Sequence, residues 1–223
     1  MILILLISFF YLIFLCWLIS GLNNLESNDQ DIRTDEFVSI IVAAKNEREN
    51  IEKLLNSLIK QTYPQKKYEI IISNDKSTDK TEEILNRYKN KIKNLKVINI
   101  TNTPLDWTNK KWALNTAINK AKGSIILQTD ADCIMQKEWI STIVNQFNRK
   151  DIGFVCGPSP VVSNNVFLNK LFLLDSLSQD AFAASCINRG FPLTCTGRNI
   201  AFTKKAFLES DGYDKIHSIK SGD

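Results

Sequence analysis

The 223-residue sequence predicts an α/β fold, a mostly parallel central sheet flanked by helices and preceded by a transmembrane helix. Three observations carry this. Short β-branched runs alternate with runs whose apolar residues recur at spacings of three and four. Their order, β-α-β-α-β, calls for crossover connections and therefore parallel strands. Residues 1–19, "MILILLISFFYLIFLCWLI", are apolar except for Ser8.

At 1.5 Å per residue that first run reaches about 28 Å, the thickness of a bilayer's hydrocarbon core. A cleaved signal peptide competes, but there is no basic n-region, no small-x-small cleavage site, and the apolar run exceeds a usual h-region. Residues 1–22 are therefore expected to be an anchor, and residues 23–36, "NNLESNDQDIRTDE", a polar linker. With five acids and only Arg33 in "NNLESNDQDIRTDEF", the flanking charges say little about orientation.

The remainder, residues 37–223, is long enough for one well-cored domain. Twenty-eight Lys and Arg against 24 Asp and Glu give a net charge of +4, mild basicity that argues against a nucleic-acid partner. The five cysteines are scattered and form no C-x-x-C pair, which points to reduced thiols in a reducing compartment.

Taken in order, "VSIIVAA" (Val38 to Ala44) reads as a strand. "NERENIEKLLNSLIKQTYP" is a helix with Ile51, Leu54, Leu55, Leu58 and Ile59 on one face, stopped by Pro64. "YEIIIS" and "LKVINI" are strands on either side of the helix "STDKTEEILNRYKNKI". Next come the helix "NKKWALNTAINKA", the strand "SIILQT", the helix "KEWISTIVNQF" and the strand "IGFVCG". The Leu-, Phe- and Ala-rich stretch from Val162 to Arg189 reads as a further helix, expected to pack against the ligand pocket.

Open α/β sheets bind ligands beyond the carboxyl ends of their strands. There the sequence sets Lys45, Asn46 and Glu47, then Asn74 and Asp75, then Asp130 and Asp132. Each group has a bland reading as a helix cap, a turn or a solvated loop.

The segments "SIIVAAKNERENIEKLLNSLIKQTYP", "EIIISNDKSTDKT", "NKKWALNTAI", "QTDADC" and "TGRNIAFTKKAFLESDGYD" together resemble the inverting family 2 glycosyltransferases, from about Val38 to the end of the chain. The resemblance implies a GT-A-type nucleotide-diphospho-sugar-binding fold. It also implies transfer of a sugar from a nucleotide-diphosphate donor, with a UDP-sugar as the expected one, to a hydroxyl acceptor. By the same match Asp132 would bind a divalent metal, Mg²⁺ or Mn²⁺, with Asp130 assisting it or the ribose. On an extended strand end residues i and i+2 face one side, which would let the pair address one ligand. Asp75 would accept the nucleobase N3–H, Ala44 and Glu47 would line the nucleotide pocket, and Lys110, with Lys111 as alternative, would lie near the phosphates. Asn199 would shape the donor and acceptor pocket. Family members usually carry Gly where this chain has Lys76.

Inversion needs a base on the face opposite the diphosphate. The resemblance places it in an acidic pair about ten residues beyond "GYD", where Asp223 is the candidate, either as the base or as its neighbour. The chain is accordingly expected to be truncated at its C-terminus, with turnover depending on residues beyond Asp223. The expected setting is the cell membrane, with the catalytic domain on the cytoplasmic side and a saccharide or lipid acceptor, in polysaccharide or glycolipid synthesis. The competing reading is a nucleotide-sugar-binding or assembly module without turnover. A nucleotidyltransferase is disfavoured because "AAKNERE" lacks a Gly-rich phosphate loop.

Overall fold

The structure, a computed structural model, describes residues 1–22, 35–148, 151–163 and 165–220. The expected linker falls almost wholly outside these, as does Asp223. The elements run α1 (Ile2–Leu22), β1 (Val38–Ala44), α2 (Ile51–Ile59), a 3₁₀ turn (Gln65–Lys67), β2 (Tyr68–Asp75), α3 (Thr81–Lys89) and β3 (Leu95–Ile100). They continue α4 (Asn109–Lys120), β4 (Ile125–Asp130), α5 (Trp139–Gln146), β5 (Phe154–Cys156), α6 (Val166–Asn188), β6 (Ile200–Thr203) and α7 (Lys204–Glu209).

The chain groups into two compact units, Met1–Asp29 with Gly157–Thr196, and Gln30–Cys156 with Gly197–Asp223. The second holds a six-stranded sheet in the order β3-β2-β1-β4-β6-β5. The pairs β1–β2, β1–β4 and β2–β3 are parallel, as the crossover order requires, while β6 runs antiparallel to β4 and β5. Both faces of the sheet are covered, which is why its central strands are continuously rather than alternately apolar. Ile40, Val42, Ile70, Ile72 and Leu127 face a core shared with Ile51, Leu54, Leu55 and Leu58 of α2, Leu85 of α3 and Ile140 of α5. Ile41, Ile71 and Ile126 face the other core, with Leu114, Ala117 and Ile118 of α4 and Phe202 of β6. Ile59, expected on the buried face of α2, is exposed.

At the amino ends of the strands a buried polar knot joins three of them. Glu69 of β2 accepts from the Ser39 hydroxyl of β1 at 2.8 Å, the Lys122 N–H at 2.6 Å and the Lys96 ammonium of β3. Ser39 Oγ in turn accepts the Gly123 N–H at 2.8 Å. A Cβ on Gly123 would lie 2.5 Å from the Ser39 nitrogen and 2.8 Å from the Phe37 carbonyl, so only glycine fits the approach to β4. Burial works against the charged form of Glu69, yet its hydrogen bonds from Lys96, Lys122 and Ser39 hold the carboxyl below its ordinary range.

In the first unit α1 packs on α6. The contact is close because Gly21 has no side chain: a Cβ there would fall 2.3 Å from Ser185 Oγ. Ser185 donates to the Leu18 carbonyl and Asn188 to the Gly21 carbonyl, each at 2.9 Å. The helix expected between Val162 and Arg189 is thus present, and its carboxyl end packs on α1.

Candidate active site

The parallel registers set Ala44 of β1 opposite Asn74 of β2, and Ala43 opposite Asp130 of β4. The carboxyl ends of three strands are therefore level, with the two small alanines of β1 between two acidic strand ends. Strands in a sheet lie about 4.8 Å apart, so Asp75 and Asp130 flank a floor roughly 10 Å wide.

Asp75 is buried, and its Oδ1 has no hydrogen-bond partner among the described residues. Lys45 approaches Oδ2 at 3.6 Å and Lys76 approaches Oδ1 at 3.9 Å, both longer than a hydrogen bond. A buried carboxylate left with an acceptor to spare is costly unless a ligand supplies the donor. Lys76 holds φ at +52°, the left-handed conformation that the usual glycine would adopt freely. The loop keeps its shape by other ties. Asn46, itself at φ +58°, accepts from the Thr78 N–H at 2.8 Å and donates its own N–H to Ser77 Oγ at 3.0 Å. The Glu47 N–H donates to Thr81 Oγ1 at 2.8 Å. Asp79 is desolvated, but hydrogen bonds from the Thr81 hydroxyl and N–H and the Arg48 N–H outweigh that and keep it ionised below its usual range. The loops after β1 and β2 are thereby stitched into one rim.

Glu47 opens a helix and also sets a carboxylate on that rim. Its carbonyl accepts the Ile51 N–H at 2.9 Å and so begins α2, while its carboxylate takes only the Asn50 amide, at 3.0 Å, among the hydrogen bonds described. Ala44 is buried at the floor.

Across that floor Lys110, in the first turn of α4, lies 3.1 Å from Asp130 Oδ1. Lys111 is not interchangeable with it. It is buried and donates to the carbonyls of Ile216 and Ile219 at 2.9 and 2.8 Å, fastening the segment after Tyr213. Asp132 is set by a turn rather than by strand pleating: β4 ends at Asp130, and the Cys133 N–H closes back on the Asp130 carbonyl at 3.3 Å. Asp132 is exposed, and its Oδ1 accepts from the Cys133 thiol at 3.7 Å. That thiol is pushed up by burial and then by the charges of Asp132 and Asp130, so it is neutral and no nucleophile at pH 7.

Asn199 meets Trp139, whose indole N–H donates to Asn199 Oδ1 at 2.9 Å. Trp139 is buried and also orients this side chain. His217 sits 5.3 Å from the Trp107 ring and 3.3 Å from Asp106. Sequence reasoning missed the Trp139–Asn199 pair and the Lys111 clamp, since neither spacing nor residue type signals a contact over such separations. A cavity of about 450 Å³ lined by Ser124, Phe147, Asp151 and Thr203 lies at the amino end of β4, away from the carboxylates.

The donor set suits a hard cation that brings its own ligands. Asp130 and Asp132 supply carboxylate oxygens, and no group of three or more His, Cys, Asp or Glu gathers as a cage among the described residues. Mg²⁺ and Mn²⁺ are held in this manner, by one or two carboxylates completed by phosphate oxygens and water.

A mostly parallel sheet with acidic strand ends level around small residues defines the GT-A class of nucleotide-sugar-binding folds. The family model for glycosyl transferase family 2 matches residues 39–208, and the chain belongs to that family. It is 28% identical over 192 residues to glycosyltransferase AglE of Haloferax volcanii, covering 84% of this chain and 59% of that protein. It is 38% identical over 119 residues to a beta-monoglucosyldiacylglycerol synthase of Nostoc, covering 53% of this chain and 25% of the synthase. The chain thus spans about three-fifths or less of these curated relatives. Among solved structures, the mannosyltransferase PcManGT of Pyrobaculum calidifontis, in complex with GDP-Man and Mn²⁺, has a TM-score of 0.65 at 22% identity, over 89% of this chain and 54% of that one. TarS of Staphylococcus aureus with UDP-GlcNAc gives 0.55 at 23% identity, over 78% and 47%. At those identities the likeness establishes the fold.

Proposed function

We propose that this protein transfers a sugar from a nucleotide-diphosphate donor, a UDP-sugar, to a hydroxyl acceptor with inversion at the anomeric carbon. It would act in cell-surface polysaccharide or glycolipid synthesis. The observation that carries the reading is the level row of strand ends, with Asp75 on one side of Ala43 and Ala44 and the Lys110–Asp130 pair on the other.

In this reading Asp75 accepts the N3–H of the base, which matches its spare, buried Oδ1. The nucleoside lies over Ala44 between the stitched rim at Glu47 and the turn at Asp130. Lys110 leans from α4 toward the diphosphate, exchanging part of its contact with Asp130 for phosphate oxygens. Asp132, with Asp130 beside it, would hold Mg²⁺ or Mn²⁺, which when bound supplies charge neutralisation to the departing diphosphate. Asn199, oriented by Trp139, borders the sugar and acceptor pocket. The proton of the attacking hydroxyl goes to a carboxylate of the acidic pair to which Asp223 belongs, outside the described residues. A domain spanning residues 37–223 carries these groups, and α1 anchors it to the cell membrane with the site on the cytoplasmic side. The apolar length of α1 and a relative that bears the name of a glycolipid synthase support the membrane setting.

Calorimetry of the full chain with uridine diphosphate and Mn²⁺ tests the reading. Wild type is expected to bind only with the metal, and Asp132→Ala to lose at least about tenfold in affinity, the worth of one good charged contact. Equal binding by both proteins, with and without chelator, would remove the metal assignment.

A further inference from the structure

We propose that the amino-terminal half of α6 is a membrane-interface helix, its stripe of Phe167, Leu171 and Leu174 seated at the headgroup–acyl boundary of the bilayer that α1 spans. The proposal rests on the reading of α1 as a membrane anchor.

The stripe is built by spacing. Phe167, Leu171 and Leu174 stand at i, i+4 and i+7, hence on one face, and are 70%, 47% and 66% exposed. Val162, in the segment that precedes the helix, is 76% exposed. Lys170 and Asp175 are the only charges from Val166 through Leu177. The opposite side of the same helix carries polar residues that are occupied, with Phe172 exposed next to them. Asn169, Ser176 and Asp180 accept the N–H groups of Ser163, Val161 and Ser159 at 2.8, 3.3 and 3.2 Å, so that the preceding segment is strapped along that side. The strap leaves the apolar stripe uncovered.

The occupant is indicated by where α6 meets α1. The hydrogen bonds between the two helices among the described residues lie at their carboxyl ends, through Leu18, Gly21, Ser185 and Asn188, while residues 2–14 of α1 are exposed throughout. The two helices are thus tied to each other at their carboxyl ends, and the first two-thirds of α1 is left uncovered. Arg189 bonds Ser20 and lies 4.8 Å over the Trp17 ring at that junction. A tryptophan and an arginine at the end of an apolar span mark the water boundary, where their amphipathic side chains are most stable. A helix that leaves a span at this level, strapped on one side and carrying exposed Phe and Leu side chains over much of the rest, lies at the depth of an interfacial helix. A lipid surface also suits the face better than a second protein chain does, because it is continuous with the apolar length of α1.

The test uses the full chain in lipid nanodiscs, with Cys16→Ser and Cys195→Ser as background. Single reporter cysteines are placed by Phe167→Cys and Leu174→Cys on the stripe, Phe9→Cys in α1 and Lys89→Cys on α3, each carrying a bimane fluorophore. Quenching by doxyl lipid and by aqueous iodide is read for each, after subtraction of the background protein's signal. The stripe positions are expected to be quenched by doxyl lipid as Phe9 is, with iodide quenching about fivefold weaker than at Lys89, as for side chains in the headgroup–acyl boundary. If Phe9 is lipid-quenched but the stripe is iodide-quenched like Lys89, or shielded from both quenchers as a protein-covered face would be, the interfacial assignment is overturned and the anchor stands. Absence of lipid quenching at Phe9 overturns the anchor, and the proposal with it.

Discussion

Lys76 shows how a departure from a family pattern is absorbed at a single residue. A non-glycine residue at φ +52° pays a left-handed penalty of about 1 kcal/mol, yet the rim hydrogen bonds from Asn46, Glu47 and Arg48 over-determine the loop and hold it there. Lys76→Gly is therefore expected to stabilise the protein by about 0.5–1 kcal/mol, raising Tm by about 1–4 °C in a thermal melt. The ammonium's bond to Thr103 is exposed and offsets little of this. Asp75 should behave in the opposite sense. Since its Oδ1 meets no protein donor, Asp75→Ala is expected to weaken uridine diphosphate binding by about tenfold or more, the loss of one charge-assisted hydrogen bond, while moving stability by less than about 1 kcal/mol. Calorimetry and chemical denaturation of the same variant separate the two effects. A large loss of stability with unchanged affinity would mark Asp75 as structural.

Among the elements, the amino ends of the strands are held by chemistry unlike that of their carboxyl ends. There the knot of Glu69, Ser39, Gly123 and Lys122 is saturated, whereas the opposite rim keeps acceptors to spare. Gly123→Ala would drive a methyl into the Ser39 backbone and the Phe37 carbonyl, neither of which can yield without parting β1 from β4. A loss of about 2–3 kcal/mol is expected from equilibrium denaturation. The same knot gives a pH signature. Because the folded-state pKa of Glu69 is depressed, its contribution is fully present above the unfolded value near 4.5 and is lost as pH falls below it through the folded value. Stability measured from pH 6 downward should decline across that window, and Glu69→Gln should start lower at pH 6 and decline less steeply.

On the scale of the whole molecule, the separate unit formed by α1 and α6 ties the reading of the chain to a membrane. The full protein is expected to sediment with membranes and to stay there through alkaline carbonate extraction, since a 21-residue apolar helix is held by burial and not by charge. Release of the mature protein as a soluble species beginning near Asn23 would show the segment to be a cleaved leader.

Periodicity and composition by themselves determined which stretches up to α6 become strands and helices, though not β6 or α7, that the sheet is mostly parallel, and that acidic residues stand beyond Ala44, Ser73 and Thr129. Those properties are written in spacings of two, three and four residues and in the crossover rule, all local or nearly so. The antiparallel β6, the turn that carries the chain from Asp130 to Asp132, the separate roles of Lys110 and Lys111, and the pairing of Trp139 with Asn199 were decided by tertiary structure. The last of these joins residues sixty apart, and Lys111 reaches carbonyls more than a hundred residues away. Neighbouring lysines on a helix point in directions about 100° apart. Which of the two is buried beneath the C-terminal segment and which reaches the acidic floor depends on how α4 is rotated against the sheet, and that rotation is set by the packing of Leu114, Ala117 and Ile118 against Ile41 and Ile126.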